Sequence, residues 1–207
     1  MKLYLSSYNL GGNPEKLVEL ASPNKKVAII TNASDLKTVE ERKEKVKEEF
    51  DHLIEIGLLP EELDLRKHFG KQKELKKKLN EFKIVWVKGG NTFILRRAME
   101  QSGFDKLIKE KVNDSDFVYA GYSAGSCVVT PTLKGLEIVD DPITVPDGYN
   151  PKIIWEGLGF VDYSIAPHYK SNHPESAMVD ETVKYFVEHK MPHKTLRDGE
   201  VIIVTLN

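Results

Sequence analysis

The sequence predicts an α/β protein: a three-layer α/β/α sandwich in which helices cover both faces of a mostly parallel β-sheet. Short β-branched or aromatic runs alternate along the chain with longer segments of helical periodicity, as is typical of βαβ units. Three polar or glycine-containing sequences each follow a predicted strand, where ligand sites of open α/β sheets lie. A chain of 207 residues is expected to form one domain, residues 1–207.

The predicted strands are the short β-branched or aromatic runs, and the predicted helices are the longer periodic segments between them. Strands are expected at residues 2–6, 27–31, 63–66, 84–87, 117–121, 164–167 and 201–206. Helices are expected at residues 14–21, 38–57, 71–80, 92–101, 105–111 and 175–189. The one long irregular stretch, residues 133–159, is rich in Pro, Gly and Asp, and a loop of this size is more often functional than idle.

Charge and cysteine content exclude several classes of protein. The 30 basic and 32 acidic residues give a formal net charge of −2, which does not favour nucleic acid or an anionic membrane as a partner. The single cysteine excludes an intramolecular disulfide framework, and the N-terminus leads into a strand rather than a signal-peptide core. No apolar stretch approaches the length of about 20 residues needed to span a bilayer. We therefore expect a cytoplasmic monomer or homodimer.

The strongest functional motif is Gly121-Tyr-Ser-Ala-Gly125, which follows an apolar strand and precedes a short helix predicted at residues 126–130. This pattern is typical of a nucleophile elbow, in which a sharp strand-to-helix turn lifts a serine oxygen above the sheet edge. The helix N-terminus then stabilises negative charge developing nearby. Ser123 is the predicted nucleophile; the alternative is a tight turn with a buried capping serine.

A serine nucleophile needs a base, and imidazole suits that task near neutral pH. Among the six histidines, only His168 directly follows an apolar strand. The remaining histidines are interpreted as surface residues: His52, His68, His173, His189 and His193. A carboxylate normally orients such a base, and two places compete for that role. One is Asp140 or Asp141 in the long loop, and the other is Asp198 in the turn before the last strand.

A glycine pair follows the strand at residues 84–87. Gly89 and Gly90 precede a helix that begins near Asn91, so their N–H groups can remain free to face a ligand. Together with the N–H of Ala124 they are predicted to form an oxyanion hole. Cys127 is the other conceivable nucleophile, but it lies within the helix and is expected to pack as a small apolar residue.

These motifs resemble the peptidase E group of serine peptidases, which includes aspartyl dipeptidases and the related cyanophycinases. The similarity covers about residues 80–205. The matching segments occur in the family's order: Lys88-Gly-Gly-Asn-Thr-Phe, similar to Gly-Gly-Gly-Asn-Thr-Phe, then Gly121-Tyr-Ser-Ala-Gly, Pro131-Thr, Asp140-Asp-Pro-Ile and Pro167-His168-Tyr.

The resemblance implies a class I glutamine-amidotransferase-like fold with Ser123 as nucleophile and His168 as base. It implies an oxyanion site near Gly90 and Ala124. Asp198 matches a family glutamate that completes the triad, whereas Asp140 matches a loop aspartate and is expected to shape the substrate pocket.

Two departures from the family pattern bear on specificity. Lys88 replaces the first glycine and changes one wall of the cleft. No arginine occurs between Arg97 and Arg197, so the cationic group that aspartyl dipeptidases use for an acidic side chain is not evident. The sequence therefore does not predict selectivity for N-terminal aspartate.

The sequence thus predicts a serine-type, dipeptidase-like peptidase that hydrolyses short peptides through an acyl-enzyme. No cofactor is expected. No metal site is expected either, because Pro192 interrupts the helical spacing of His189 and His193. Two alternatives remain open: an α/β-hydrolase-type esterase or amidase with Asp140 or Asp141 as its acid, and a catalytically silent relative that binds small molecules.

Overall fold

A six-stranded sheet forms the centre of the protein, as seen in a computed structural model that describes residues 1–206. The strands in chain order are β1 (Lys2–Ser6), β2 (Lys26–Ile30), β3 (Leu59–Glu62), β4 (Ile84–Val87), β5 (Val118–Tyr122), β6 (Ser164–Ala166), β7 (His193–Thr195) and β8 (Val201–Thr205). The central sheet has the order β3-β2-β4-β5-β1-β8. All its neighbouring strands are parallel except β8, which runs antiparallel to β1.

Helices cover both faces of this sheet. They are α1 (Pro14–Ala21), α2 (Val39–Glu55), α3 (Gln72–Leu79), α4 (Thr92–Ser102), α5 (Phe104–Lys109), α6 (Ala124–Cys127) and α7 (Ser176–Glu188). On one face, Leu17 of α1 and Leu53 of α2 are buried in one apolar cluster. On the other, Leu75, Ile94 and Phe104 of α3, α4 and α5 belong to a second, larger cluster. The predicted three-layer α/β/α architecture is confirmed.

The predicted strand at residues 63–66 is wrong. The strand lies earlier, at Leu59–Glu62, and Leu65–His68 forms a 3₁₀ helix. Pro60 and the acidic pair that follows it are unfavourable in a central strand. They are tolerated here because β3 is an edge strand, with one side free of ladder hydrogen bonds.

The placement predicted for the strand before His168 also needs correction. Strand β6 does not join the central sheet; it pairs in parallel with β7, which the sequence did not predict as a separate strand. Each of these strands is only three residues long, so period-two alternation is too brief to identify β7. His168 therefore reaches the site from a second, two-stranded sheet.

A buried carboxylate links helix α2 to the ends of the two central strands. Glu49 is 2% exposed. The Nε1–H of Trp86 in β4 donates to its Oε2 at 2.7 Å, and the hydroxyl of Tyr122 in β5 donates to its Oε1 at 2.6 Å. Because Tyr122 immediately precedes Ser123, these bonds fix the strand end from which the candidate nucleophile emerges.

None of the helices formed by residues 1–206 has both the length and the apolar character required to cross a bilayer.

Replacing Glu49 with Gln tests this link. The amide offers one acceptor oxygen where two donors converge, so one buried donor loses its partner. We expect unfolding to become easier by about 1–3 kcal/mol, which lowers Tm by roughly 2–12 °C in a protein of this size. The matched control is Glu44→Gln on the exposed part of α2. Equal Tm values for the two variants in calorimetry would contradict a structural role for Glu49.

Candidate active site

Ser123 lies in a strained turn between β5 and α6. Its backbone has φ 48° and ψ −115°, a conformation that non-glycine residues rarely adopt. Its N–H faces the carbonyl oxygens of Ser6 and Ser7, at 3.3 and 3.2 Å. The helix that follows is Ala124–Cys127 rather than the predicted 126–130, so it begins directly at the serine.

This turn packs against the end of β4 with no room for a side chain at Gly125. A Cβ there would overlap the carbonyl oxygen of Val87, and one at Gly121 would lie 2.7 Å from the same atom. The glycines of the Gly-x-Ser-x-Gly motif therefore allow the turn to sit on the neighbouring strand. The structure thus places Ser123 beside the end of β4.

His168 and Asp198 are directly bonded. Nδ1 of His168 lies 2.7 Å from Oδ1 of Asp198. Because a carboxylate only accepts hydrogen bonds, Nδ1 carries the proton and Nε2 keeps its lone pair. The imidazole is 2% exposed, and its φ of 61° marks a second strained position.

Ser7 holds this pair in place, and the sequence analysis missed it. Its Oγ accepts a hydrogen bond from the His168 backbone N–H at 2.8 Å and donates to Asp198 Oδ1 at 2.8 Å. The Asp198 backbone N–H donates to Ser171 Oγ at 2.8 Å. The sequence does carry a signal for Ser7: the polar pair Ser6-Ser7 lies at the carboxyl end of a predicted strand. Ligand sites of open α/β sheets lie at such strand ends.

Ser123 and His168 line the same cleft, which also contains Gly89, Gly90 and Asp140. Within residues 1–206, Ser123 Oγ makes no hydrogen bond to the His168 ring. Catalytic hydrogen bonds are often long in ligand-free enzymes and tighten when substrate binds.

The glycine pair leaves its N–H groups available at the cleft. Gly90 has φ 139°, and a Cβ there would lie 2.6 Å from the Ala33 carbonyl oxygen, so only glycine fits. Within the described chain, the N–H groups of Gly89, Gly90 and Ala124 donate no hydrogen bond to a backbone oxygen. Asn91 caps helix α4, as expected, by accepting from the Ile94 N–H.

Asp140 lies in the same cleft, but within residues 1–206 no hydrogen bond joins it to His168. Its Oδ2 accepts a hydrogen bond from the Thr92 backbone N–H at 2.8 Å. Desolvation by the surrounding protein raises the pKa of its carboxyl to about 6. The carboxylate that hydrogen-bonds to the imidazole is therefore Asp198 and not Asp140.

Cys127 is buried, as expected, and burial raises the pKa of its thiol.

A second imidazole covers His168. The ring of His173 stacks on it with the centroids 3.7 Å apart and the planes 8° from parallel. Tyr8 packs edge-on against His168 and at a tilt against His173. The interpretation of His173 as a surface residue is wrong, because the chain after His168 folds back over the site. Burial lowers the pKa of His168; the hydrogen bond that the imidazole donates to Asp198 opposes this shift, and the charge of His173 adds to it.

Within residues 1–206, one group brings three potential metal-ligand atoms together: His168, His173 and Glu175 offer donors within 4.8 Å of one another. The two imidazole planes are nearly parallel, so their in-plane lone pairs do not converge on one point unless a ring rotates. The arrangement fits a stacked pair better than a preformed metal centre.

Comparison with known proteins places this geometry in a family. The model of peptidase family S51 matches residues 10–206. An uncharacterized peptidase of Listeria monocytogenes is 34% identical over 148 residues, or 71% of this chain and 67% of that protein. A peptidase E of a Nostoc species is 35% identical over 150 residues, covering 72% of this chain and 54% of that protein.

Two solved structures with a similar fold also come from proteins described as peptidases. A crystal structure of a peptidase E protein from Listeria monocytogenes superposes with a TM-score of 0.76 at 27% identity, covering 100% of this chain and 98% of that one. The structure of a peptidase from an acI-B1 actinobacterium shares the fold with a TM-score of 0.69 at 15% identity, covering 98% and 82%. The chain belongs to peptidase family S51 and is a serine-type peptidase.

Proposed function

We propose that the protein hydrolyses short peptides, as a dipeptidase-like exopeptidase, through an acyl-enzyme on Ser123 with His168 as general base. The main support is the 2.7 Å contact between His168 Nδ1 and Asp198 Oδ1. That contact leaves the basic Nε2 atom of a cleft-lining imidazole unprotonated. Ser123 lines the same cleft.

In the acylation step, Ser123 Oγ bonds to the scissile carbonyl carbon while His168 Nε2 takes the hydroxyl proton. The resulting oxyanion accepts hydrogen bonds from the free N–H groups near Gly90 and Ala124. As the C–N bond breaks, the imidazolium gives its proton to the leaving nitrogen, which departs as an amine. Asp198 stabilises the imidazolium and holds its orientation.

In the deacylation step, a water molecule attacks the ester carbon and gives a proton to His168 Nε2. The ester C–O bond breaks, the acid product leaves, and the proton returns to Ser123 Oγ. The same donors stabilise both tetrahedral intermediates. The net reaction adds one water across one peptide bond and uses no cofactor.

The two alternatives have weaker support. An α/β-hydrolase-type esterase or amidase would use Asp140 or Asp141 as its acid, whereas Asp198 is the carboxylate bonded to His168. A catalytically silent relative would not need an oriented imidazole beside a strained serine. No particular contact favours either alternative.

Removing the Ser123 hydroxyl is the first test. We expect Ser123→Ala to lose peptide hydrolysis and labelling by a fluorophosphonate probe, while the wild type is labelled once per chain by intact-mass measurement. Ser126→Ala is the matched control, since its hydroxyl is buried and bonded to the Ser6 and Gly121 carbonyl oxygens. Labelling of Ser123→Ala to the wild-type extent would contradict the assignment of the nucleophile.

Replacing Asp198 with Asn tests the acid. The amide no longer enforces the productive tautomer, and the equivalent change in a Ser-His-Asp enzyme lowers kcat by about 10⁴-fold. We expect a loss of similar order here, measured as kcat on a hydrolysed peptide, and no such loss in the exposed control Asp147→Asn. A larger fall in kcat for Asp140→Asn than for Asp198→Asn would favour the esterase alternative.

The lowered pKa of His168 predicts activity in mildly acidic solution. The base must be neutral, and a pKa below the ordinary 6.5 keeps it neutral to lower pH. Titrating the imidazole signals of the Ser123→Ala protein by proton NMR, with His168→Gln to assign the resonance, should give a midpoint below 6.5. A midpoint above that value would mean that the interaction with Asp198 outweighs burial.

A further inference from the structure

One lysine in the cleft is buried without a partner of opposite charge. Lys88 directly follows β4 and is 8% exposed. Its Nζ donates to the carbonyl oxygen of Gly89 at 3.1 Å, and no carboxylate of residues 1–206 lies within ion-pair distance of it. Burying a cation without a counter-charge is costly, so such a group is uncommon unless it has a role.

The nearest candidate for a structural counter-charge is Glu49. Its two oxygens are already occupied by Trp86 and Tyr122. It attracts Lys88 only at longer range, and burial lowers the pKa of the lysine despite that attraction. The Lys88 ammonium therefore uses one of its three donors within the protein, its Nζ lies 5.9 Å from the centroid of the Tyr122 ring, and the residue lines the cleft together with Gly89 and Ser123.

Two carboxylates also line the cleft that contains Lys88 and Ser123. Asp140 and Glu175 line both this cleft and a narrow adjoining pocket that also includes Ser123. Neither carboxylate has a lysine or arginine partner within residues 1–206; the nearest cation-forming group is His173, 4.0 Å from Glu175. The remaining wall is largely apolar: Cys127, Leu136, Val139, Pro167 and Val179.

This polarity matches a free dipeptide. A dipeptide carries an ammonium on the residue that becomes the acyl group and a carboxylate on the residue that leaves, with the scissile carbonyl between them. Ser123 lines the cleft together with Lys88, Asp140 and Glu175. A longer or capped peptide would place a neutral amide at one of these two charged positions.

Resting on the proposed function, we propose that the cleft selects dipeptides by their two charged ends: Lys88 binds the C-terminal carboxylate, and Asp140 with Glu175 binds the N-terminal ammonium. The first side chain is small and uncharged, because the adjoining pocket lined by Asp140 and Glu175 is narrow. An N-terminal aspartate is disfavoured there, because its carboxylate would face Asp140 and Glu175 with no cation among the lining residues.

The test compares three forms of one peptide: Ala-Leu, Ala-Leu amide and N-acetyl-Ala-Leu. A hydrogen bond between charged groups is worth a factor of about 10–150 in binding, so each cap should lower kcat/KM by at least about 10-fold. Asp-Leu should be hydrolysed at least as poorly as the capped peptides. Equal kcat/KM for Ala-Leu and Ala-Leu amide would overturn the role of Lys88.

Variants separate the two ends of the cleft. Lys88→Met keeps the length and apolar stem of the side chain, and it should remove the preference for Ala-Leu over its amide by raising KM for Ala-Leu alone. Lys88→Arg should restore part of that preference. Glu175→Gln should instead weaken the preference for a free N-terminus. Lys43→Met, at an exposed position of α2, is the matched control.

A failed inference and a failed proposed function give different results. If Ser123 is labelled by the fluorophosphonate and the capped peptides are hydrolysed as well as Ala-Leu, the peptidase assignment stands and end recognition is wrong. If Lys88→Met lowers Tm but leaves the ratio between Ala-Leu and its amide unchanged, the lysine is structural and the inference is wrong. If Ser123 is not labelled and no peptide is hydrolysed, the proposed function itself fails.

Discussion

The site depends on one hydrogen-bond network, in which Ser7 binds both the backbone of His168 and the carboxylate of Asp198. His168 follows a strand of the small two-stranded sheet, and Asp198 lies in the turn before β8. Of these two strands only β8 belongs to the central sheet, and no pairing among the described strands joins the segment of His168 to β5, which precedes Ser123. Ser7 follows β1, the neighbour of β5 in the central sheet, so its hydroxyl connects the base and the acid to the strand that carries the serine. A second link is Cys127 of α6, whose Sγ lies 3.5 Å from the carbonyl oxygen of Ile165 in β6.

Close packing fixes the other half of the cleft. Gly125 allows the strained serine turn to sit on the end of β4, and Gly90 allows the following loop to lie against the Ala33 backbone. Helix α2 holds the same strand ends from the opposite face of the sheet through Glu49. Within residues 1–206, the N–H groups of Gly89, Gly90 and Ala124 donate no hydrogen bond to a backbone oxygen. A rigid site of this kind needs little rearrangement when charge develops on a bound carbonyl.

The sequence predicted the architecture and placed Ser123 in a strand–turn–helix, because hydrophobic periodicity and the glycine spacing are local signals. It did not predict β7 or the edge position of β3, since a three-residue strand has too little alternation and Pro60 is acceptable only at a sheet edge. It missed Ser7 and the stacking of His173 on His168, which are contacts between distant segments. The sequence left Asp140 and Asp198 as alternatives, and only a three-dimensional distance distinguishes them as partners of the imidazole.

The central claim is that Ser123, His168 and the free N–H groups of Gly90 and Ala124 act on a single carbonyl group. The most direct measurement is a crystal structure of the protein after reaction with a peptidyl phosphonate, whose tetrahedral phosphorus mimics the reacting carbon. The account predicts a bond from phosphorus to Ser123 Oγ and a phosphoryl oxygen within roughly 2.7–3.1 Å of both N–H groups. His168 Nε2 should then lie within hydrogen-bond distance of the adduct. Phosphorus bound to another residue, or a phosphoryl oxygen turned to solvent away from Gly90 and Ala124, would contradict the account.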